Sequence, residues 1–381
     1  MGFVRVWALV WMVACGGHAM PKDDVAPRPN ASSSPDAASP VASASPRVNA
    51  APSATPTQIS AGGEVTCARM SDATVRCWGK NEFGQIGDGA KDVQTTPRAV
   101  PNLTGVVQVA VGDAFACALM DDATVRCWGS NYYGALGLGD EAARTTPTPV
   151  PNLRDVTQIA TGWATCALLR NGHVSCWGDW DPGAGDPRTI GSKSPLEVLN
   201  VADAVQVAVG RSHSCARRAS GAVTCWRHIS PGLVPRGRTR ADPVAVRITD
   251  AAHISLGSSG AAVTKTGELK CWGINCAFEL GRDAPLDYSA AFVVPKTSHA
   301  VEVATSDDIA CYRRDDGNVI CQEKTGLVPV PNVSRATAIA AGAYHACALT
   351  PSGVMCWGEN SAGQLGDGTN AKRAAPAQVR F

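Results

Sequence analysis

The chain has 381 residues, and its 34 Lys and Arg against 33 Asp and Glu leave a formal net charge of +1. Such a balance removes the global case for a nucleic-acid or membrane-surface protein. Fifteen cysteines, 38 glycines and 25 prolines point to a cross-linked, turn-rich chain, and no apolar run approaches the roughly 20 residues of a spanning helix.

In chain order, residues 1–5 are short and positive, and residues 6–14 are apolar with Trp7 and Trp11. They run into Met12-Val13-Ala14-Cys15-Gly16, which resembles a bacterial lipoprotein signal, with Met12 where that signal usually carries Leu. Residues 1–15 are therefore expected to be a signal segment with Cys15 as the lipidation site. An ordinary secretory signal cut after Ala19 is the alternative. Either version exports the chain, as a lipoprotein of the cell envelope (outer membrane or periplasm) or as a secreted protein, with lipid as its only membrane attachment. Residues 16–57 are rich in Pro, Ala and Ser and lack the apolar content to bury a core, so they are expected to be a disordered tether. Flexible-chain scaling gives the tether a reach of roughly 35–40 Å.

Residues 58–381 hold seven repeats. Six carry Cys-Trp, at Cys77, Cys127, Cys176, Cys225, Cys271 and Cys356, and one carries the degenerate Cys321-Gln322. Successive dipeptides are 50, 49, 49, 46, 50 and 35 residues apart. In six units a second cysteine stands nine or ten positions upstream: Cys67, Cys117, Cys166, Cys215, Cys311 and Cys347. The fifth unit has Ala261 there and adds Cys276. Around Asn171-Gly172 two alternating runs signal a β-hairpin, and further strands near Val150 and at 156–160 give each unit about four short strands. With no sustained helical period, the chain reads as all-β.

Hairpin geometry accounts for the cysteine spacing. Folding about Asn171 sets Cys166 opposite Cys176, and the same holds for Cys67 with Cys77 and Cys215 with Cys225. Directly opposed residues lie within disulfide reach. The shorter turn at Pro351-Ser352 does the same for Cys347 and Cys356. A zinc reading would need close Cys-x-x-Cys or Cys/His sets, which are absent. With no cysteine at Ala261, Cys271 is expected to pair with Cys276; the alternatives are a partner outside its unit or two free thiols. The Trp after each second cysteine faces the opposite side of the sheet, as core packing between neighbouring sheets rather than a ligand cage.

These repeats resemble the regulator of chromosome condensation repeat family. The last unit matches most fully, with Gly342-Ala343-Tyr344-His345-Ala346-Cys347-Ala348-Leu349, then Trp357-Gly358-Glu359-Asn360 and Gly363-Gln364-Leu365-Gly366. The first has Gly84-Gln85-Ile86-Gly87 and the second Gly134-Ala135-Leu136-Gly137, while the third, fourth and sixth lose this tail. The resemblance implies a seven-bladed β-propeller. The C-terminal Pro376-Ala377-Gln378-Val379 is similar to the outgoing strand of a unit, so the two chain ends are expected to complete one blade together.

Candidate chemistry is sparse. No Ser/His/Asp order or paired carboxylates stand out, so no enzyme activity and no cofactor are expected. His213 and His345 occupy equivalent places, where other units have Val65, Phe115 and Ile309, which favours packing. Asp88 and Asp367, in Gly-Asp-Gly turns, could serve calcium but read as loop formers, so no metal is expected. Residues 205–250 carry a basic excess, and the segment with Arg227, Arg236, Arg238 and Arg240 replaces the repeat motif. It is a candidate site for an acidic protein surface or an anionic polymer. The expected role is a protein-interaction scaffold at the cell envelope. The alternatives are a carbohydrate or cell-wall polymer binding module and, more distantly, the guanine-nucleotide exchange that the family resemblance implies.

Overall fold

The computed structural model describes residues 54–178, 192–227, 243–273, 290–295, 297–323 and 326–381. The lipidation candidate Cys15 and nearly all of the tether lie outside these residues. Within them the chain forms seven four-stranded antiparallel sheets, each built from four consecutive strands. The first blade comprises β1 (Pro56–Gly62), β2 (Val65–Met70), β3 (Val75–Gly79) and β4 (Gln94–Ala99). Six more blades follow, over residues 106–149, 156–197, 204–246, 251–293, 300–329 and 338–378. The first strand of every blade lines an axial channel, so the fold is a seven-bladed β-propeller.

Ring closure differs from the expectation drawn above. The C-terminal strand Arg373–Gln378 pairs within the seventh blade, and Pro56–Gly62 pairs within the first, so no blade is shared between the chain ends. Closure is instead a side-by-side contact. Ala343 N–H donates to the Gly63 carbonyl at 2.8 Å, and the Trp78 indole N–H donates to the Gln364 carbonyl at 2.9 Å. The Thr66 hydroxyl donates to that same carbonyl and lies 2.7 Å from His345 Nε2. Likeness to an outgoing strand marks the C-terminal segment as a strand, but it does not say which blade's third strand that segment pairs with.

In the register the cysteines oppose each other directly: Cys67 with Cys77, Cys117 with Cys127, Cys166 with Cys176, Cys215 with Cys225, Cys311 with Cys321 and Cys347 with Cys356. All six couples are disulfides, with Cα separations of 4.0–4.1 Å. Each joins the second and third strands of its own blade and none crosses between blades. Cys271 lies opposite Ala261, and its expected partner Cys276 is outside the described residues.

Adhesion between blades comes from seven apolar clusters, one at each junction. Six hold one Trp of the repeat, packed against the preceding blade: Trp128 sits among Val65, Val75 and Ile86, and Trp78 among Leu349, Val354 and Leu365. The junction of blades 5 and 6 has no Trp, because Gln322 replaces it, and Tyr312 packs there instead. The Gly-Gln-Leu-Gly tail has a specific job at these junctions. Its second residue offers a backbone carbonyl to the next blade's indole: Gln85 to Trp128, Ala135 to Trp177 and Gln364 to Trp78, each at 2.9 Å. Its final glycine lets the backbone lie flat on the ring. A Cβ at Gly87, where φ is +85°, would sit 2.6 Å from Trp128 Nε1.

Candidate functional site at the axial channel

The innermost strands share one plan, an amide-bearing residue at the start and a glycine turn at the end. At the start stand Gln58, Gln108, Gln158 and Gln206, then His253, Glu302 and Ala338. Each glutamine bridges to the neighbouring blade's innermost strand with both ends of its amide. Gln58 receives the Val109 N–H at 2.9 Å and donates to the Val109 carbonyl at 3.0 Å. Gln108 repeats this on Ile159, Gln158 on Val207 and Gln206 on Ile254. His253 and Glu302 keep only the acceptor half, toward the N–H of Val303 and of Ile339, both at 3.4 Å. These bridges satisfy edge groups of strands that would otherwise face only the channel.

Two histidines, His345 buried and His253 half-buried, make the fold acid-sensitive. Burial, and after it the charges of Arg217 and Arg313, lower the His253 pKa to about 4. Burial alone lowers His345 to about 4. The Thr66 hydroxyl already donates to Gln364, so His345 Nε2 carries the proton and donates to Thr66. Below pH 6.5 the unfolded chain takes up protons that the fold refuses, so stability present above that pH is lost as it falls toward 4. The loss is on the order of 3 kcal/mol per histidine. Urea unfolding at pH 7 and pH 4.5 measures it. His253→Gln, which installs the residue four other blades use here, should flatten the dependence, and an equally steep fall would refute the assignment.

At the other end the chain turns beside a glycine in six of seven blades, Ser306 being the exception. The reason is close approach: a Cβ on Gly162 would lie 2.6 Å from the Gly210 carbonyl oxygen, and one on Gly210 2.2 Å from that of Gly257. The next residue forms the rim of the channel at Gly63, Asp113, Trp163, Arg211, Asp307 and Ala343, and Ser258 holds the equivalent place in the fifth blade. Acidic, basic, aromatic and small residues thus share equivalent backbone positions. The Arg211 guanidinium lies 4.8 Å from the centre of the Trp163 ring and 3.2 Å from an Asp307 carboxylate oxygen. Ser258 donates to the other Asp307 oxygen at 2.7 Å. Desolvation, followed by the Asp307 charge, raises the Asp113 pKa against the opposing pull of Arg211 and Lys80. The channel encloses about 300 Å³.

The loops joining third and fourth strands reach the same face, since the third strand ends beside the turn (Gly79 opposite Val65, Gly129 opposite Phe115). They bring exposed Tyr132 and Tyr133 to it, and the seventh blade's turn adds exposed Tyr344. Asp88 and Asp367 prove to be loop formers: Asp88 accepts from the Ala90 N–H, and Asp367 from Thr369, Asn360 and Arg373. His213 and His345 are buried. Of the basic candidates, Arg227 ends the fourth blade's third strand opposite His213, at the turn face. Its side chain, and Arg236, Arg238 and Arg240 entirely, lie outside the described residues. The rim was not singled out from sequence. Its signal was the aligned column after the turn residue, where seven units place six residue types, Asp alone occurring twice.

A rigid, disulfide-stapled seven-bladed propeller with one chemically varied face is a binding architecture. Sequence models of the regulator of chromosome condensation (RCC1) repeat match residues 57–85, 106–135 and 336–364, and in a second form 72–119 and 122–169. The matched segments are RCC1 repeats, and they stand in a seven-bladed propeller. It is 27% identical over 234 residues to the ultraviolet-B receptor UVR8 of Arabidopsis thaliana, a match covering 54% of this chain and 52% of the receptor. Over 245 residues it is 31% identical to the human E3 ubiquitin-protein ligase HERC2, covering 56% of this chain and 5% of the ligase. The chain thus spans about half of the first of these relatives and a small part of the second. Among solved structures, Prp20p of Saccharomyces cerevisiae superposes with a TM-score of 0.66 at 21% identity, over 86% of this chain and 88% of that one. Human WBSCR16 gives 0.70 at 20%, over 81% and 95%. Identities this low speak for the fold.

Proposed function

We propose that this chain is a protein-interaction scaffold, exported and anchored at the cell envelope through Cys15, that binds its partner on the turn face of the propeller. The observation that carries the reading is the rim: seven equivalent backbone positions occupied by six residue types, acidic, basic, aromatic and small, on a scaffold stiffened by in-blade disulfides and cross-blade bridges. Such a surface specifies a partner without requiring the fold to move. For Prp20p, binding to Gsp1p and histones is described, and another structure holds that protein bound to Kap60, so a propeller of this kind can serve as a docking body. Six disulfides suit an oxidising compartment.

A photo-cross-linking residue placed at Tyr344 or Glu82 on the turn face should capture one and the same protein from native membranes. One at Asp122, in the turn on the opposite face, should capture none. Capture only from Asp122, or from no position, would overturn the binding face. Cys15→Ser should shift the chain from the membrane to the soluble fraction of the envelope, and recovery of reduced chain from the cytosol would overturn export. Should a polymer rather than a protein be retained, charge reversal of Arg236, Arg238 and Arg240 tests whether the basic segment holds it.

A further inference from the structure

Between blades 2 and 3, beside the channel rim, a cavity of about 210 Å³ opens on the turn face. Its side-chain walls are Phe115, Ser130, Tyr132, Tyr133, Trp163 and Asp113. It exists because this junction breaks the repeat. In blades 1 and 7 a glutamine side chain braces the loop, Gln85 accepting the Phe83 N–H at 2.8 Å and Gln364 the Ala362 N–H at 2.9 Å. In blade 2 that position is Ala135, which lines the cavity and has no side-chain acceptor for the Tyr133 N–H, although Asn131 still bonds the Leu136 N–H at 2.9 Å. Tyr133, at the place of Phe83 and Ala362, takes a left-handed φ of 55°, a conformation that bulky residues seldom hold. Large aromatic surface stays in water: Tyr132 is 66% exposed, Tyr133 46% and Trp163 38%.

We propose that this cavity receives an arginine side chain from the protein partner. Three aromatic rings offer electron-rich faces, and Asp113 supplies the one carboxylate in the wall. Trp163 already holds a guanidinium, that of Arg211, against its ring, so the chemistry is realised once within the chain. An apolar plug would leave the carboxylate desolvated and unpaired, and an anion would be repelled by it. Among side chains, a sugar would find, besides that carboxylate, only Ser130, the tyrosine hydroxyls and the Trp163 indole N–H to hydrogen-bond. The inference rests on the scaffold reading and names the chemistry of its partner.

The test is calorimetric titration of the oxidised full chain with the capped peptide acetyl-Gly-Arg-Gly-amide and with its neutral citrulline isostere. The arginine peptide should bind saturably and the isostere about tenfold more weakly. Asp113→Asn and Trp163→Ala should each weaken arginine binding by about tenfold, with unchanged far-ultraviolet circular dichroism, whereas Glu268→Gln, in an exposed turn on the opposite face, should leave it unaltered. Equal affinity for the two peptides, absence of saturation, or tight binding of an N-acetylglucosamine oligomer blocked by Trp163→Ala would overturn the inference. If the arginine peptide fails while cross-linking from Tyr344 and Glu82 still captures a partner, this pocket assignment falls and the scaffold reading stands. If the peptide binds and no partner is captured from that face, the scaffold reading falls instead.

Discussion

Reduction of the disulfides is expected to unfold the propeller without any added denaturant. Each described disulfide closes a loop of nine or ten residues' separation within one blade. In the chain-entropy model a loop of that size contributes about 2.5–3 kcal/mol, so six independent loops together contribute about 15 kcal/mol. Folded domains rarely exceed a net stability of about 5–15 kcal/mol, so the reduced chain has little or nothing left. Circular dichroism of the oxidised chain, followed during titration with a thiol reductant under native conditions, measures the effect. The loss should be cooperative and should reverse on reoxidation. A reduced chain that keeps its sheet signal and its urea midpoint would show that the interblade cores suffice alone.

The second large effect separates two kinds of tryptophan. Trp128 is fully buried and its indole N–H is paired with the Gln85 carbonyl. Trp226 and Trp272 are equally buried, yet their N–H groups have no hydrogen-bond partner among the described residues. They follow blades 3 and 4, whose loops have lost the Gly-Gln-Leu-Gly tail that supplies the carbonyl elsewhere. Trp128→Ala should cost about 3–5 kcal/mol, as for other buried aromatics. Trp128→Phe also strands a buried carbonyl, whereas Trp226→Phe removes a donor with no partner among the described residues. The Phe variant at 128 should therefore be the more destabilised by about 1–3 kcal/mol. Urea midpoints of the two variants decide it, and equal losses would show that the loop carbonyl contributes nothing to the junction.

Much of this fold is legible in the sequence because its two strongest signals are local. A ten-residue cysteine step across a short turn has one antiparallel solution, and Cys-Trp then assigns opposite faces to the staple and the packing ring. Closure was misread for a physical reason: hydrophobic alternation identifies strands but not the neighbour each one chooses. The rim stayed hidden for a different reason. Read along the chain, Asp113, Trp163, Arg211 and Asp307 are isolated residues about 50 positions apart, and only the ring gathers them at one opening. The cavity beside Trp163 was equally silent, since it follows from a missing glutamine at Ala135 rather than from a motif that is present.

The amide bridges along the channel also make a nearly symmetric ring directional. Six junctions carry a side-chain acceptor, at 2.8–3.1 Å for the glutamines and 3.4 Å for both His253 and Glu302, and at the last Ala338 offers Ile59 none. Seven blades of one pattern are therefore not seven equal units: the seam between the last blade and the first lacks this bridge and is held by the Ala343, Trp78 and Thr66 hydrogen bonds instead. A tightly bound partner on the turn face would span that seam like a hoop around a barrel, and binding would then hold the ring shut as well as recognise it.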